Sequence, residues 1–376
     1  MNTPTPRTAF AACSLLTRRQ SLARPAVKQS GLTLIELLIA TTIGLLILGV
    51  VLGVFIANNR SYKENDAIAT MQDNARFALD VIGHDLQMAG FLGGIRPLDA
   101  TFNVSRSALV DAAVPAGNQC GPNPYTGTIP WLFDVSLPVE FRNHKETADI
   151  SKSFRCLTDV KADSDIVVIR RVAGVASVSQ AAGVTTIPTL DANRIYLVAN
   201  QNTGSLIQWP ASGGSALGAL TDCPDPSGTP SACPPAQRPV SYWAYSPRIY
   251  YVQANGGKPR LCRMTLPDAA PFPASAAMTN ECLADGIENI QFEWGFDTDN
   301  DEPAHTIDTY DFAPASVATA LAVRIHVIVQ SNEKDLALSS DGKKFKLADY
   351  EETTPKKGVI RRSYTTTVQL KNNRLR

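Results

Sequence analysis

Glu36 is the first residue whose chemistry stands out, because it lies near the start of an apolar run. The stretch SGLTLIELLIATTIG covers residues 30–44, and the run continues to Ala57 without another charge. A carboxylate at membrane depth is costly and usually marks function. Either Glu36 reaches back to the membrane interface, or it pairs with a cation from elsewhere, since the run itself offers none.

The segment DTDNDEPAHTID (297–308) carries a second candidate chemistry, the binding of calcium through oxygen ligands. Four aspartates occupy positions 1, 3, 5 and 12 of a calcium-loop pattern: Asp297, Asp299, Asp301 and Asp308. Position 6 is Glu302 rather than glycine, and position 12 is aspartate rather than glutamate. A solvated acidic turn is therefore the favoured interpretation, and calcium is the one cofactor that the sequence suggests at all.

The cysteines point to an oxidising compartment. Cys13 lies in a basic leader, and six more follow it in the remainder of the chain. None forms a C-x-x-C pair or clusters with a histidine, so we predict no zinc site. Many pairings are open to six cysteines. Proximity along the chain alone suggests three disulfides, Cys120–Cys156, Cys223–Cys233 and Cys262–Cys282.

Motifs of enzymatic activity are missing from the chain. It contains no GxSxG, HExxH, P-loop or GxGxxG pattern. An active site assembled only in space stays open, but we expect a protein without enzymatic activity.

The apolar run has the length of a membrane-spanning helix. Leu37 to Ala57 is 21 residues without a charge, about 31 Å as a helix, against a bilayer core of about 30 Å. Residues 1–31 hold five basic residues and no acidic one, which indicates a cytoplasmic flank. Two alternatives fit less well. A cleaved secretory signal would need a cleavage site of small residues after the apolar run, which this sequence does not have, and a buried core helix would not explain the basic flank. We therefore predict membrane insertion with the C-terminal bulk outside the cytoplasm.

A helical period continues beyond the apolar run. Apolar residues recur at spacings of three and four: Ile68, Met71, Ala75, Leu79, Ile82, Leu86 and Ala89. Charged residues and a histidine fall on the opposite face: Asp73, Arg76, Asp80 and His84. These spacings predict one helix from about Leu32 to Ala89, whose second half packs on a globular domain.

The remainder of the chain is rich in predicted strands. Five segments carry the strand pattern: residues 166–169, 195–198, 249–252, 290–294 and 323–329. The sequence Asn255-Gly256-Gly257 predicts a hairpin turn. Residues 221–239 hold too many prolines for the interior of a sheet and are predicted to form a surface loop. Residues 97–160 have only a weak pattern and are assigned to loops and short elements. One helix packed on an antiparallel sheet with long loops is an α+β domain.

Gly31 followed by LTLIE resembles the processing site of type IV prepilins. The resemblance implies cleavage after Gly31 by prepilin peptidase and N-methylation of the new terminus at Leu32. It makes Glu36 the fifth mature residue, the position at which pilins keep a glutamate. The new amino group supplies a positive charge, with a pKa near 8. In a packed fibre it can meet Glu36 of a neighbouring subunit, so we favour Glu36 as an assembly contact.

The segment QDNARFALDVIGHDLQMAGFLGG (72–94) resembles a helix of the PilW group of minor pilins, which major pilins do not share. The resemblance resumes in five further blocks: SDIVVIRRV (164–172), RIYYVQANGGKPRLCRMTL (248–266), DGIENIQFEWGFDTDNDE (285–302), LAVRIHVIVQS (321–331) and RRSYTTTVQL (361–370). It implies a pilin-like α+β fold in four parts. These are a cleaved leader (1–31), a transmembrane and fibre-core helix (32–57), its amphipathic continuation (58–90) and a periplasmic β-rich domain (91–376).

The function implied by this resemblance is that of a minor pilin. Such a protein helps to prime type IV pilus assembly at or near the fibre tip, in support of adhesion, twitching motility or DNA uptake. Its implied partners are other minor pilins, the major pilin, a tip adhesin, the inner-membrane assembly platform and prepilin peptidase, with no direct nucleic-acid partner. The chain is expected to cross the inner membrane once and to move later into the fibre at the cell surface.

Two alternatives stay open at this point. A minor pseudopilin of type II secretion is close in mechanism, and the block at residues 72–94 argues against it. A membrane-tethered binding or hydrolytic domain is the other alternative, and it needs neither Gly31 nor Glu36.

Overall fold

The chain divides into two units, Met1–Ser61 and Tyr62–Arg376, and each is described by itself. The computed structural model of the protein describes residues 31–95, 104–106, 120–121, 131–143, 154–181, 189–192, 194–200, 204–209, 223–224, 230–231, 239–266, 278–299, 306–332, 343–354 and 356–372.

Helix α1 (Leu34–Gln87) has 54 residues and begins in the first unit. From Leu34 to Ser61 its side chains are exposed, including the large apolar ones from Leu37 to Ile56. By length and composition the helix is suited to cross a membrane. The first unit therefore contains one N-terminal apolar helix that is a candidate membrane anchor.

The part of α1 in the second unit carries a buried stripe: Met71, Ala75, Ala78, Ile82 and Leu86. Four of these belong to the apolar series read from the sequence, and Ala78 adds to it. The charged residues of the opposite face are exposed. At Gly83 a Cβ atom would lie 3.1 Å from Val368 Cγ2, so the missing side chain lets the helix approach the last strand closely.

Eighteen strands are described, and fourteen of them lie in the second half of the sequence. In chain order they are β1 (Val104–Arg106), β2 (Val139–Arg142), β3 (Ile166–Ile169), β4 (Val178–Gln180), β5 (Ile195–Ala199), β6 (Gly204–Gln208), β7 (Cys223–Pro224), β8 (Pro230–Ser231), β9 (Val240–Ala244), β10 (Arg248–Gln253), β11 (Arg260–Thr265), β12 (Thr279–Asp285), β13 (Ile287–Phe296), β14 (Thr309–Asp311), β15 (Ala322–Gln330), β16 (Phe345–Leu347), β17 (Tyr350–Glu352) and β18 (Arg361–Gln369).

The strands form three larger sheets and two hairpins. The first sheet has the order β1-β6-β5-β9-β4, the second β12-β11-β10-β3-β2 and the third β14-β13-β15-β18. Strands β7 and β8 make one two-stranded sheet, and β16 and β17 make the other. Among the described pairs only β1 and β6 run parallel, and every other pair is antiparallel.

The second sheet is buried on both faces. Val167 and Ile169 of β3 belong to a core shared with α1 and with the third sheet. Their neighbours Ile166 and Val168 belong to a second core, shared with the first sheet and with Trp131. Burial on both faces explains why this strand reads as the continuous apolar run IVVI rather than as an alternating one.

The structure confirms the α+β class, because one long N-terminal apolar helix packs on antiparallel sheets in a globular domain. Each of the five predicted strand segments lies in a strand. The hairpin predicted at Asn255–Gly257 is confirmed as well, because β10 and β11 pair antiparallel on either side of it. Gly256 takes φ +61° there, a conformation that favours glycine. Most of the proline-rich segment 221–239 lies outside the described residues.

Candidate functional site

Gly31 and Leu32 directly precede α1. Both are exposed, and 80% of the Leu32 surface is accessible. A Cβ atom added to Gly31 would meet no described atom within 4 Å. No contact within the described chain therefore requires glycine at this position, and cleavage after it stays a prediction.

Glu36 forms a reciprocal hydrogen-bonded cap with Thr33 at the start of α1. The Thr33 N–H and hydroxyl donate to Glu36 Oε2 at 3.0 and 2.9 Å. In return the Glu36 N–H donates to Thr33 Oγ1 at 3.3 Å. This is a capping box, which satisfies backbone N–H groups that a helix start otherwise leaves without a partner.

The cap is a role for Glu36 that the sequence reasoning missed. Its signal was the pattern Thr-x-x-Glu immediately before the apolar run, at residues 33–36. Both accepted bonds end on Oε2, and among the described residues Oε1 has no partner. The capping box and a contact between subunits are thus compatible uses of one carboxylate.

The described cysteines form two disulfides, Cys120–Cys156 and Cys262–Cys282. These are two of the three pairs expected from proximity along the chain. Cys262 and Cys282 are direct register partners, so the bond ties β11 to β12. The side chain of Cys223, and all of Cys233 and Cys13, lie outside the described residues.

The acidic loop brings three of its four aspartates together. Carboxylate oxygens of Asp297, Asp299 and Asp308 lie within 4.8 Å of one another, and Asp301 lies outside the described residues. Asp308 Oδ2 also accepts the Thr298 N–H at 2.7 Å and its hydroxyl at 3.2 Å. These local bonds are those of a solvated acidic turn, and the carboxylates alone do not distinguish such a turn from a calcium site.

A buried charge network joins α1 to the second sheet, and the sequence reasoning missed it. Asp85 of α1 is fully buried. Its Oδ1 accepts Arg171 Nε at 3.1 Å and Arg171 Nη2 at 2.8 Å. Its Oδ2 accepts hydrogen bonds from Arg248 and from the Tyr250 hydroxyl. One carboxylate of the helix thus accepts four donor groups from three residues.

The electrostatics of the network keep Asp85 ionised. Burial by itself raises the pKa of Asp85, but the positive charges of Arg171 and Arg248 and the hydrogen bonds from Arg248 and Tyr250 outweigh it. The pKa therefore lies below its ordinary value. Burial, together with the charge of Asp85, raises the pKa of Tyr250, so this hydroxyl stays a donor.

The residues of the network come from three of the sequence blocks that carry the family resemblance, 72–94, 164–172 and 248–266. Arg171 is two residues beyond β3, and Arg248 and Tyr250 belong to β10. The arrangement has no free catalytic group: every one of these side chains is held in an ion pair or a hydrogen bond. Its chemistry is that of an anchor, which fixes the helix on the sheet in one position.

A groove of about 720 Å³ lies between α1 and the last strand, β18. The helix contributes Arg76, Phe77, Asp80 and His84 to one wall, and the strand contributes Tyr364 to Val368 to the other. Both walls belong to the second unit. The lining mixes apolar and polar side chains and holds no cluster of potential metal ligands among the described residues.

Comparison with known proteins returned one family. Residues 249–372 match the family model described as Type IV Pilus-assembly protein W. The match covers about a third of the chain, and it runs from β10 to the residues just beyond β18. No curated protein and no solved structure matches the chain.

Proposed function

Because this match supports assignment of the chain to the PilW family, we propose that the protein is a minor pilin that helps to prime assembly of a type IV pilus. The observation that carries the proposal is the match of residues 249–372 to a pilus-assembly family. A family of this kind favours a pilus over a type II secretion system and over a simple membrane tether.

The N-terminal unit supplies the membrane and fibre element of the proposal. Its exposed apolar side chains from Leu37 to Ile56 need an apolar environment, which is the bilayer before assembly and the core of the fibre afterwards. Prepilin peptidase cuts after Gly31 and methylates Leu32 in this scheme. The C-terminal domain is then periplasmic, and later lies on the fibre.

Glu36 joins neighbouring subunits in the proposed fibre. Its Oε1 is free of partners among the described residues, and a new amino terminus at Leu32 of another subunit is a cation of the required sign. A buried carboxylate needs such a partner. The pairing fixes the axial register of the subunits at the same time as it neutralises both charges.

The role is structural, without enzymatic activity. The buried ionic groups around Asp85 hold the helix to the sheet, and this rigidity suits a subunit that transmits force along a fibre. The partners in this scheme are other minor pilins, the major pilin, a tip adhesin and the inner-membrane assembly platform. The fibre serves adhesion, twitching motility and DNA uptake.

Complementation of a strain that lacks the chain tests the proposal. The unaltered chain should restore surface filaments, and Gly31→Leu should not, because a large residue blocks the cut. Gly44→Leu is the matched control for processing, since a Cβ atom at Gly44 also meets no described atom within 4 Å. Two results together would refute the proposal: the strain without the chain forms as many filaments as the parent strain, and the complemented strain has none of the chain in its filaments.

A further inference from the structure

Strand β18 is the edge strand of the third sheet. It has nine residues, Arg361–Gln369, and pairs along its whole length with β15. Among the described residues no other strand pairs with it on its other side. A long unpaired edge exposes a row of backbone N–H and C=O groups that can pair with another chain.

The hydrogen bonds at both ends of this pair show which backbone groups point outward. The Ser331 N–H donates to Ile360 O at 2.9 Å, and the Leu370 N–H donates to Leu321 O at 2.8 Å. The register between these points is uninterrupted. Since bonded and non-bonded pairs alternate in an antiparallel ladder, the even-numbered residues of β18 bond to β15. The backbone groups of Ser363, Thr365 and Thr367 therefore point away from the sheet.

The outward edge lacks the features that usually protect such strands. From Ser363 to Val368 the sequence SYTTTV has no charge and no proline, and the ladder has no bulge. Among the described residues no hydrogen bond from the backbone of Ser363, Thr365 or Thr367 to another element occurs. This stretch is suited to accept one more strand.

The groove beside the edge gives side chains of an added strand a place to bind. Tyr364, Thr366 and Val368 are more buried than their odd-numbered neighbours, and Val368 belongs to the core that contains α1. The even-numbered side chains therefore face the helix. On the helix wall Phe77 leaves 48% of its surface exposed. Alternate side chains of an added strand would lie over this partly apolar wall.

We propose that β18 is a docking edge, at which an extended segment of another pilus subunit adds a strand to the third sheet. The proposal rests on the proposed function. The segment alternates apolar side chains, which face Phe77, with polar side chains on the opposite face. It carries acidic residues toward its ends, because exposed Arg362 and Lys371 flank the uncharged stretch of β18 at its two ends.

The same charges argue against a second copy of this chain as the occupant. Antiparallel pairing of two β18 strands about Thr365 brings Arg362 of one copy and Lys371 of the other to the same end of the pair. Parallel pairing through the outward groups requires an offset of one residue, and it brings the Arg362 residues of the two copies to neighbouring positions. Like charges close together oppose both arrangements. A partner with acidic ends has the complementary charge.

The decisive variant is Thr365→Pro, and its matched control is Thr365→Ala. The Thr365 N–H points outward, so proline removes a donor from the partner without breaking a bond to β15, and proline is tolerated at such edge positions. Alanine removes only the side chain, including its 2.9 Å hydrogen bond with His326 Nδ1, and keeps the backbone donor.

The readout is photocrosslinking in cells that lack the native copy. The full chain carries p-benzoylphenylalanine at Phe77, and mass spectrometry identifies what it captures. We expect a crosslink to another pilus subunit, undiminished by Thr365→Ala and reduced at least tenfold by Thr365→Pro. An equal crosslink in both variants, a crosslink to a second copy, or no crosslink would overturn the inference.

Hydrogen exchange provides a measurement that needs no variant. Amides of Ser363, Thr365 and Thr367 should exchange at least tenfold more slowly in pili than in the purified full-length chain in detergent, and unchanged rates would overturn the inference. Exchange of the β15 amides checks that Thr365→Pro is folded. If the chain is absent from pili altogether, the proposed function is wrong. If Thr365→Pro enters pili as well as the unaltered chain does, only the docking edge is wrong.

Discussion

At the scale of single residues, two carboxylates of α1 define how the helix is held. Glu36 accepts two hydrogen bonds from Thr33 at the exposed start of the helix. Asp85 is fully buried and paired with Arg171 and Arg248. A buried ion pair adds little net stability compared with an apolar replacement, but the removal of one partner leaves uncompensated charges. Asp85 therefore has the larger effect on the folded domain.

Asp85→Ala should strongly destabilise the second unit. The substitution leaves the buried Arg171 and the partly buried Arg248 without their counter-ion, which costs about 3–5 kcal/mol of unfolding free energy. Asp80→Ala is the matched control, because Asp80 is exposed on the same helix and surface substitutions usually change stability by less than about 0.5 kcal/mol. Thermal unfolding of both full-length variants in detergent measures the difference. Equal stabilities would show that the network does not hold the helix.

The pH dependence of Asp85→Asn follows from the lowered pKa of Asp85. The pKa of an aspartate carboxyl in an unfolded chain is about 3.9. When the pKa is lower in the folded chain, the ionised carboxyl stabilises the fold, and this contribution is complete at pH values above about 3.9. The contribution disappears as pH falls through the folded pKa. The difference in unfolding free energy between the unaltered chain and Asp85→Asn should therefore be full at neutral pH and shrink below about pH 4. Denaturant titrations at a series of pH values measure it, and a difference that grows in acid would contradict the assignment.

At the scale of elements, α1 meets two kinds of surroundings. From Leu34 to Ser61 its side chains, including the large apolar ones, are exposed, and by length and composition this part is suited to a membrane. From Met71 to Leu86 a buried stripe packs on sheets. Because most helical stability in proteins comes from packing, the second part is stabilised by the domain. The first part relies on its apolar environment and on the capping box at Thr33 and Glu36.

Substitutions at Thr33 and at Glu36 separate the helix cap from the proposed contact between subunits. Thr33→Ala removes the hydroxyl group that makes two of the three hydrogen bonds of the cap, at a cost of about 1 kcal/mol, and keeps the charge of Glu36. Glu36→Gln removes the charge and keeps an oxygen acceptor for Thr33. We expect near-normal piliation from Thr33→Ala and few filaments from Glu36→Gln or Glu36→Ala, although all three are cleaved and inserted. Loss of a buried partner costs about 3–5 kcal/mol.

Filament counts by electron microscopy in the complemented strain decide between the two roles. Normal piliation from both Glu36 variants would mean that Glu36 only caps the helix. Few filaments from Thr33→Ala as well would assign the effect to the cap.

Two disulfides cross-link the described part of the second unit. Cys120–Cys156 and Cys262–Cys282 are formed in the structure, and Cys13 is removed if the chain is cut after Gly31. We expect no free thiol in the mature protein, which makes Cys223 and Cys233 the third pair. Thiol labelling under denaturing, non-reducing conditions measures this. Two labelled cysteines would show that the third pair does not form.

Local patterns predicted the elements, and distant contacts escaped prediction. Met71, Ile82 and the strand at residues 323–329 were recognised because burial repeats at short, regular spacings. Asp85 was not recognised, since its partners Arg171 and Arg248 lie 86 and 163 residues away in the chain. The only sign of this network in the sequence was that Asp85, a charged residue, lies directly before Leu86 of the apolar stripe. Residues 97–160 were assigned to loops and short elements, and the structure has the short strands β1 and β2 there.

At the scale of the whole molecule, an N-terminal apolar helix that is a candidate membrane anchor is joined to a domain whose C-terminal part matches a pilus-assembly family model. The family match covers residues 249–372, and Gly31 lies far outside it. The N-terminal part of the proposal therefore needs its own test. The capping box, the exposed apolar helix and the unexplained glycine at residue 31 all concern this part.

The most direct test is the mass of the N-terminal peptide of the chain recovered from sheared, purified pili. We predict a peptide that begins at Leu32 with one added methyl group, with no trace of residues 1–31. The same preparation from a strain that expresses Gly31→Leu should contain none of the chain. A chain that keeps its leader, or one that begins after Ala57, would contradict the proposed function. So would a chain that restores piliation to the deletion strain but is itself absent from the purified pili.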